Sequence, residues 1–234
     1  MKRTWISIVI SLGVAACASV AACASAAAQT PQRTGEGFFL AVSGQPLALR
    51  GDFDGRLVLW HFDKAFFVPE LNQAAALGFG LGFKRKSWLW EILHVRSRHP
   101  SAFRDRAGTA FYRSVEIDGR SFLVRDFPAK PYLLVGISVP WLKVDPGAEI
   151  SGLKYRATYI GLGLNIGLGI VLEIAPSLFV SGGGVYRAAG FFYVSGEGKG
   201  RDIGDLRVGS GGDKWNRWLK ASSLSWMIGL GLVL

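Results

Sequence analysis

The sequence predicts an all-β protein, an antiparallel transmembrane β-barrel, on three observations: strict alternation of large apolar with small residues, absence of charge from the alternating stretches, and a secretory leader. The longest alternation runs from Ala157 to Leu172. Ile160, Leu162, Leu164, Ile166, Leu168, Ile170 and Leu172 take the even positions, and mostly Gly and Asn the odd ones. Two is the side-chain period of a strand. A helix would scatter these glycines around its axis at about 1 kcal/mol each relative to Ala, for no gain. A strand sets every aliphatic toward lipid and every small residue inward.

The same order recurs. Leu77, Phe79, Leu81 and Phe83 alternate with glycines; Leu133, Val135, Ile137, Val139 and Trp141 alternate with Tyr132, Leu134, Gly136 and Ser138. Leu224, Trp226, Ile228, Leu230, Leu232 and Leu234 alternate with Ser, Met, Gly and Val at the C-terminus. A half-buried strand of a soluble protein carries charged or Thr-rich residues on its other face; here charge is confined to the connections, as in membrane barrels. Lys84–Ser87, Asp126–Pro131 and Glu173–Ser177 read as short turns, and Ser195–Lys214, with seven glycines, as a long polar loop. Short connections at one end and long ones at the other fit the periplasmic and external ends of such a barrel.

Eight strands are expected, near 37–47, 73–83, 88–96, 110–126, 132–142, 157–172, 178–194 and 219–234. Asp54-Gly55 and Asp118-Gly119 carry the hairpin-turn dipeptide. If both hairpins joined the wall the count would be ten; eight is favoured, with those hairpins beyond the membrane. Trp88, Trp90, Phe191, Phe192, Tyr193, Trp215 and Trp218 stand at strand ends, where interfacial rings belong.

The N-terminus sets the compartment. Lys2 and Arg3 precede an apolar run from Trp5 to about Ala16, followed by Ala24-Ser25-Ala26. This is a signal peptide with an A-x-A cleavage site, so residues 1–26 are expected to leave and 27–234 to form the barrel. Val20-Ala21-Ala22-Cys23 also resembles a lipobox, which would keep Cys23 as an acylated first residue. Both cysteines lie in the leader, so without that anchor the mature chain has neither disulfide nor thiol chemistry. It carries 25 basic and 17 acidic residues. In an exported protein such a surplus points to outer-membrane lipids and lipopolysaccharide phosphates, not to nucleic acid.

In pattern, most of the chain past the leader resembles the small outer-membrane barrels of the OmpA/OmpX type. Met227–Leu234 is similar to their C-terminal assembly signal, with Gly229 at its glycine position and Leu232 and Leu234 at its terminal hydrophobic ones. That group favours a polar residue where Met227 stands and an aromatic one where Leu234 stands. The resemblance implies architecture, an outer-membrane location and recognition of the last strand by the barrel assembly machinery. It carries over no active site.

Chemistry is sparse. His61, His94 and His99 form no metal-binding spacing, and no metal site is expected. Barrels that deacylate lipid A use a Ser/His/acid set on the wall; His94 lies near Ser97 and Glu91, but the close H-x-S pairing is missing. Gly161-Leu162-Gly163 lacks the strand-to-helix context of a dinucleotide fingerprint, so no cofactor is expected. Arg96, Arg98, Arg104 and Arg106 face a single acid, Asp105, in a stretch read as an external loop. They form either a solvated loop or a clamp for lipopolysaccharide phosphates, which guanidinium binds bidentately. Glu91, Asn165 and Arg187 take inward positions and need polar partners there. The other inward positions of three strands are nearly all Gly, Ala or Ser. Either larger inward residues such as Phe179, Tyr132 and Leu134 fill the lumen, or a pocket remains. The expected role is structural or interactive at the cell surface, without catalysis; the alternatives are a small-ligand binding or transport barrel and a lipid-modifying enzyme.

Overall fold

The computed structural model describes residues 35–234, apart from 56–57, 62–63, 104–105, 125, 151–152, 199–200 and 208–217. The leader and Cys23, together with Arg104 and Trp215, lie outside the described residues.

Eight long strands form the wall: β1 Gly37–Leu47, β2 Ala74–Lys84, β3 Trp88–Phe103, β4 Arg106–Phe122, β5 Ala129–Ile150, β6 Leu153–Ala175, β7 Leu178–Gly198 and β8 Leu219–Val233. Each pairs antiparallel with the next, and β8 returns to β1 through Val233 with Phe39 to Ile228 with Gly44. The eight wall strands therefore close into a barrel, so that among the described residues none of the eight is an edge strand, which in lipid would leave backbone groups unpaired.

Alternation sets the two faces. Leu168, Leu224 and Trp226 point outward and are 65%, 72% and 70% exposed, as are Phe38, Leu40, Val135 and Ile166 in their turn. The residues between them, among them Tyr132, Leu134, Val185 and Met227, are buried. Large apolar side chains thus line the outside, inverting the usual order of a soluble protein.

The connections after β2, β4 and β6 lie at the end where β1 begins and β8 stops, the termini end of the wall. At the far end the wall runs past the apolar belt. Here the structure corrects three expectations. β3 continues to Phe103 and pairs with β4 in one unbroken register, from Ser97 opposite Tyr112 to Phe103 opposite Arg106, so Arg96, Arg98 and Arg106 stand on strands and not in a loop. Asp118-Gly119 is no turn but the middle of β4, between Glu91 and Gly136. The polar lumen accounts for this: Asp118 is an inward acid in a strand whose outward neighbour is Ile117. Ser195–Lys214 is not simply a loop either, because β7 runs to Gly198 and residues Arg201–Arg207 fold back along it. Asp54-Gly55 does turn, with Gly55 at φ +79°, and leads to a small hairpin of Val58–His61 with Lys64–Phe67 that joins the end of β5 through Phe66 opposite Ile150.

Candidate functional site

The lumen is filled in three layers. At the termini end Phe39, Leu89, Phe122, Tyr132, Val171 and Phe179 form an apolar cluster. Lys84 and Lys130 converge on Glu173 beside it, Lys130 at 2.7 Å. At the far end a second cluster includes Leu93, Tyr112, Leu142, Tyr159 and Phe191. The segment between β1 and β2 dips into that mouth. Phe53 is buried there, edge-on to Tyr159 and Phe191 at 5.3 and 5.4 Å between centroids.

The glycine-rich interior is the counterpart of this filling. A Cβ at Gly231 would lie 2.1 Å from the Phe179 ring, one at Gly82 would lie 2.4 Å from Phe39, and one at Gly169 would lie 2.6 Å from the Tyr132 hydroxyl. Each of these three glycines makes room for a ring on the neighbouring strand. Small residues opposite large ones pack a narrow barrel to native density.

Between the apolar layers lies a polar one. Glu91 is paired with Arg120. Arg187 holds Glu116 bidentately, through Nε to Oε1 at 3.0 Å and Nη2 to Oε2 at 3.0 Å, and donates from Nη1 to Ser225 Oγ at 2.8 Å. Asn165 donates to Asp118 at 2.9 Å and to Glu116 at 3.3 Å. Glu91, Asn165 and Arg187 are all buried in this layer, and Glu91 and Arg187 pair with other residues rather than with each other. From the sequence alone Glu116 and Arg120 have no expected role, and Asp118 is expected as part of a turn. Their signal was available, since Ser114, Glu116, Asp118 and Arg120 alternate with Val115, Ile117 and Gly119 on β4.

Ser97 and His99 were also missed as a pair. The imidazole Nδ1–H donates to the Asn72 carbonyl at 2.8 Å, which leaves Nε2 to accept from the Ser97 hydroxyl at 2.8 Å. A nucleophile–base pair has this geometry. Here His99 is fully buried beside Tyr112, and a backbone carbonyl stands where a triad would place a carboxylate. The pair fastens the plug segment to β3, together with the Asn72 N–H donating to Pro100 at 2.9 Å. His94 points outward from the wall.

On the outer face Arg96 and Arg98 are exposed on β3 and lie over the Phe79 and Phe111 rings, at 5.3 and 5.4 Å from the centroids. Arg96 stands directly opposite Arg113 of β4, and Phe111 opposite Lys143 of β5. Asp145, an acid on β5 beyond Lys143, is bound to Arg156 at 2.8 Å. The side chains of Arg104 and Arg106 lie outside the described residues. Among the described residues, no three His, Cys, Asp or Glu side chains are placed to hold a metal ion.

A closed, filled, eight-stranded antiparallel barrel with an apolar exterior is the architecture of the small outer-membrane barrels. Among solved structures the fold is similar to Neisserial surface protein A, with a TM-score of 0.50, 13% identity, and coverage of 85% of this chain and 97% of that one. It is equally similar to the outer membrane protein OprG from Pseudomonas aeruginosa, with a TM-score of 0.50, 12% identity, and coverage of 84% and 95%. At these identities the likeness is one of fold. No protein family matches the chain, and no curated protein matches it in sequence.

Proposed function

We propose that this protein is a sealed outer-membrane barrel with a structural or interaction role at the cell surface, without catalysis. The observation that carries the reading is the uncharged belt of large apolar side chains around a closed wall, a surface that water does not tolerate and hydrocarbon does. The filled lumen favours this role over a small-ligand or transport barrel, and the enclosed Ser97–His99 pair favours it over a lipid-modifying enzyme. In this reading residues 1–26 direct export and are removed, the termini end faces the periplasm, and β8 is the strand that the barrel assembly machinery recognises.

The proposed partner is lipopolysaccharide. Arg96 and Arg98, joined by Arg113 and Lys143, crowd onto three adjacent strands just beyond the apolar rows of β3 and β4. Like charges directly opposite one another destabilise a sheet. A phosphate between Arg96 and Arg113 reverses the sign of that term. Arg104 and Arg106 follow in sequence and belong to the same proposed contact. Fractionation tests the placement: the protein is expected in the outer membrane, released only by detergent, with heat-modifiable migration on a gel. Recovery from the periplasm without detergent overturns it.

A further inference from the structure

The apolar exterior carries a groove of about 920 Å³ that crosses β5–β8 and ends at Arg50 and Gly51. Its floor is Ala188, Gly190 and Ser222, outward positions that farther along the same strands hold Tyr186, Leu224 and Trp226. Register lines the small residues up. Leu164, Ala188, Ser222 and Arg50 follow one another across adjacent strands, as do Leu162, Gly190 and Lys220. The result is a trough and not isolated dimples.

Two glycines build its ends. A Cβ at Gly190 would lie 2.5 Å from the Trp218 ring, so the indole rests flat on the wall and forms one bank. Gly51 adopts φ +121°, and a Cβ there would lie 2.5 Å from the Lys220 carbonyl oxygen. That close approach fastens Arg50 beside Ser222. Arg50 and Lys220 are both exposed, and on β8 Lys220 comes just beyond the outward apolar run Leu224–Leu234. Asp52, on the same segment, accepts the Lys220 backbone N–H at 2.9 Å.

We propose that this groove seats one acyl chain of lipopolysaccharide, with a phosphate of its head group on Arg50 and Lys220. The inference rests on the membrane placement above, which sets the far end in the outer leaflet. A trough walled by Leu162, Leu164 and Trp218 excludes water and receives hydrocarbon. Two cations at one end select an amphiphile whose head is anionic. This site is separate from the Arg96–Arg113 patch on β3–β5.

The test reconstitutes the mature chain in phosphatidylcholine nanodiscs containing either lipid A or phosphatidylglycerol of equal total charge, and counts retained lipids by native mass spectrometry. Ala188→Phe and Ser222→Leu fill the trough by different routes, and heat-modifiable migration shows whether each has folded. Arg50→Gln with Lys220→Gln removes the charge. The parent is expected to retain one more lipid A than either filled variant, and the double Gln variant to lose at least fivefold in occupancy. Equal retention by the parent and a folded filled variant overturns the proposal, as does preference for phosphatidylglycerol or a mass showing a second copy in place of lipid. A protein that never needs detergent fails at fractionation, before this comparison begins.

Discussion

Arg120 of β4 and Arg187 of β7 carry the same guanidinium as Arg96 and Arg98 of β3 into opposite surroundings. Arg120 and Arg187 point into the lumen, where Glu91 and Glu116 meet them and solvent is excluded. Arg96 and Arg98 point outward, where their neighbours are aromatic rings and a further arginine, Arg113. Inside, charge is tolerated because partners are fixed by strand register. Outside, it is tolerated because it lies beyond the apolar rows, where the side chains are exposed. What an arginine costs here is decided by depth and face rather than by residue type.

The comparison is broken most sharply from the inside. Glu116→Gln leaves Arg187 buried without a full counter-charge, and the loss of one partner from a buried pair costs about 3–5 kcal/mol. Urea titration of folding into lipid vesicles should show this loss, and Glu116→Leu with Arg187→Met should recover much of it. If the single and double variants are equally impaired, the pair is not what holds this layer.

An arginine placed on the outer face inside the belt sharpens the depth argument. Leu168 is outward and flanked by Ile166 and Ile170. Leu168→Arg should cost about 2–4 kcal/mol if that point is near the bilayer midplane, and about 0–1 if it lies at an interface. The same titration distinguishes these, and parental stability would reverse the inside–outside assignment of β6.

The smallest effect is expected at the opposed pair. Relief of like-charge contact by Arg113→Gln should stabilise the barrel by roughly 0.2–1 kcal/mol in phosphatidylcholine. With lipopolysaccharide present the sign should change, and rising salt should erase the difference because exposed charge contacts are screened. No change of sign would make the patch a solvated one.

Much of the wall was legible in the sequence because its medium imposes period two on every strand. Strand β7, expected near 178–194, spans Leu178–Gly198, and β6, expected near 157–172, spans Leu153–Ala175. Beyond the belt that pressure ends. Ser97, His99 and Pro100 gave no sign of continuing β3, because there the alternating face is polar on both sides. Asp118-Gly119 misled for a related reason: the dipeptide that favours a turn in water is also a lumenal acid beside a small outward residue.

The sequence by itself determined the fold class and which face of each strand meets lipid, since these follow from alternation along one strand, while the choice of eight strands over ten waited on closure of β8 against β1. Tertiary structure decided what the lumen contains. Glu116 lies 71 residues from Arg187, and Asp118 lies 47 from Asn165. Whether the inward glycines enclose a pocket or receive Phe39, Tyr132 and Phe179 depended on registers summed around the closed barrel. A strand's own sequence fixes the direction of a side chain, but only closure fixes what stands opposite it.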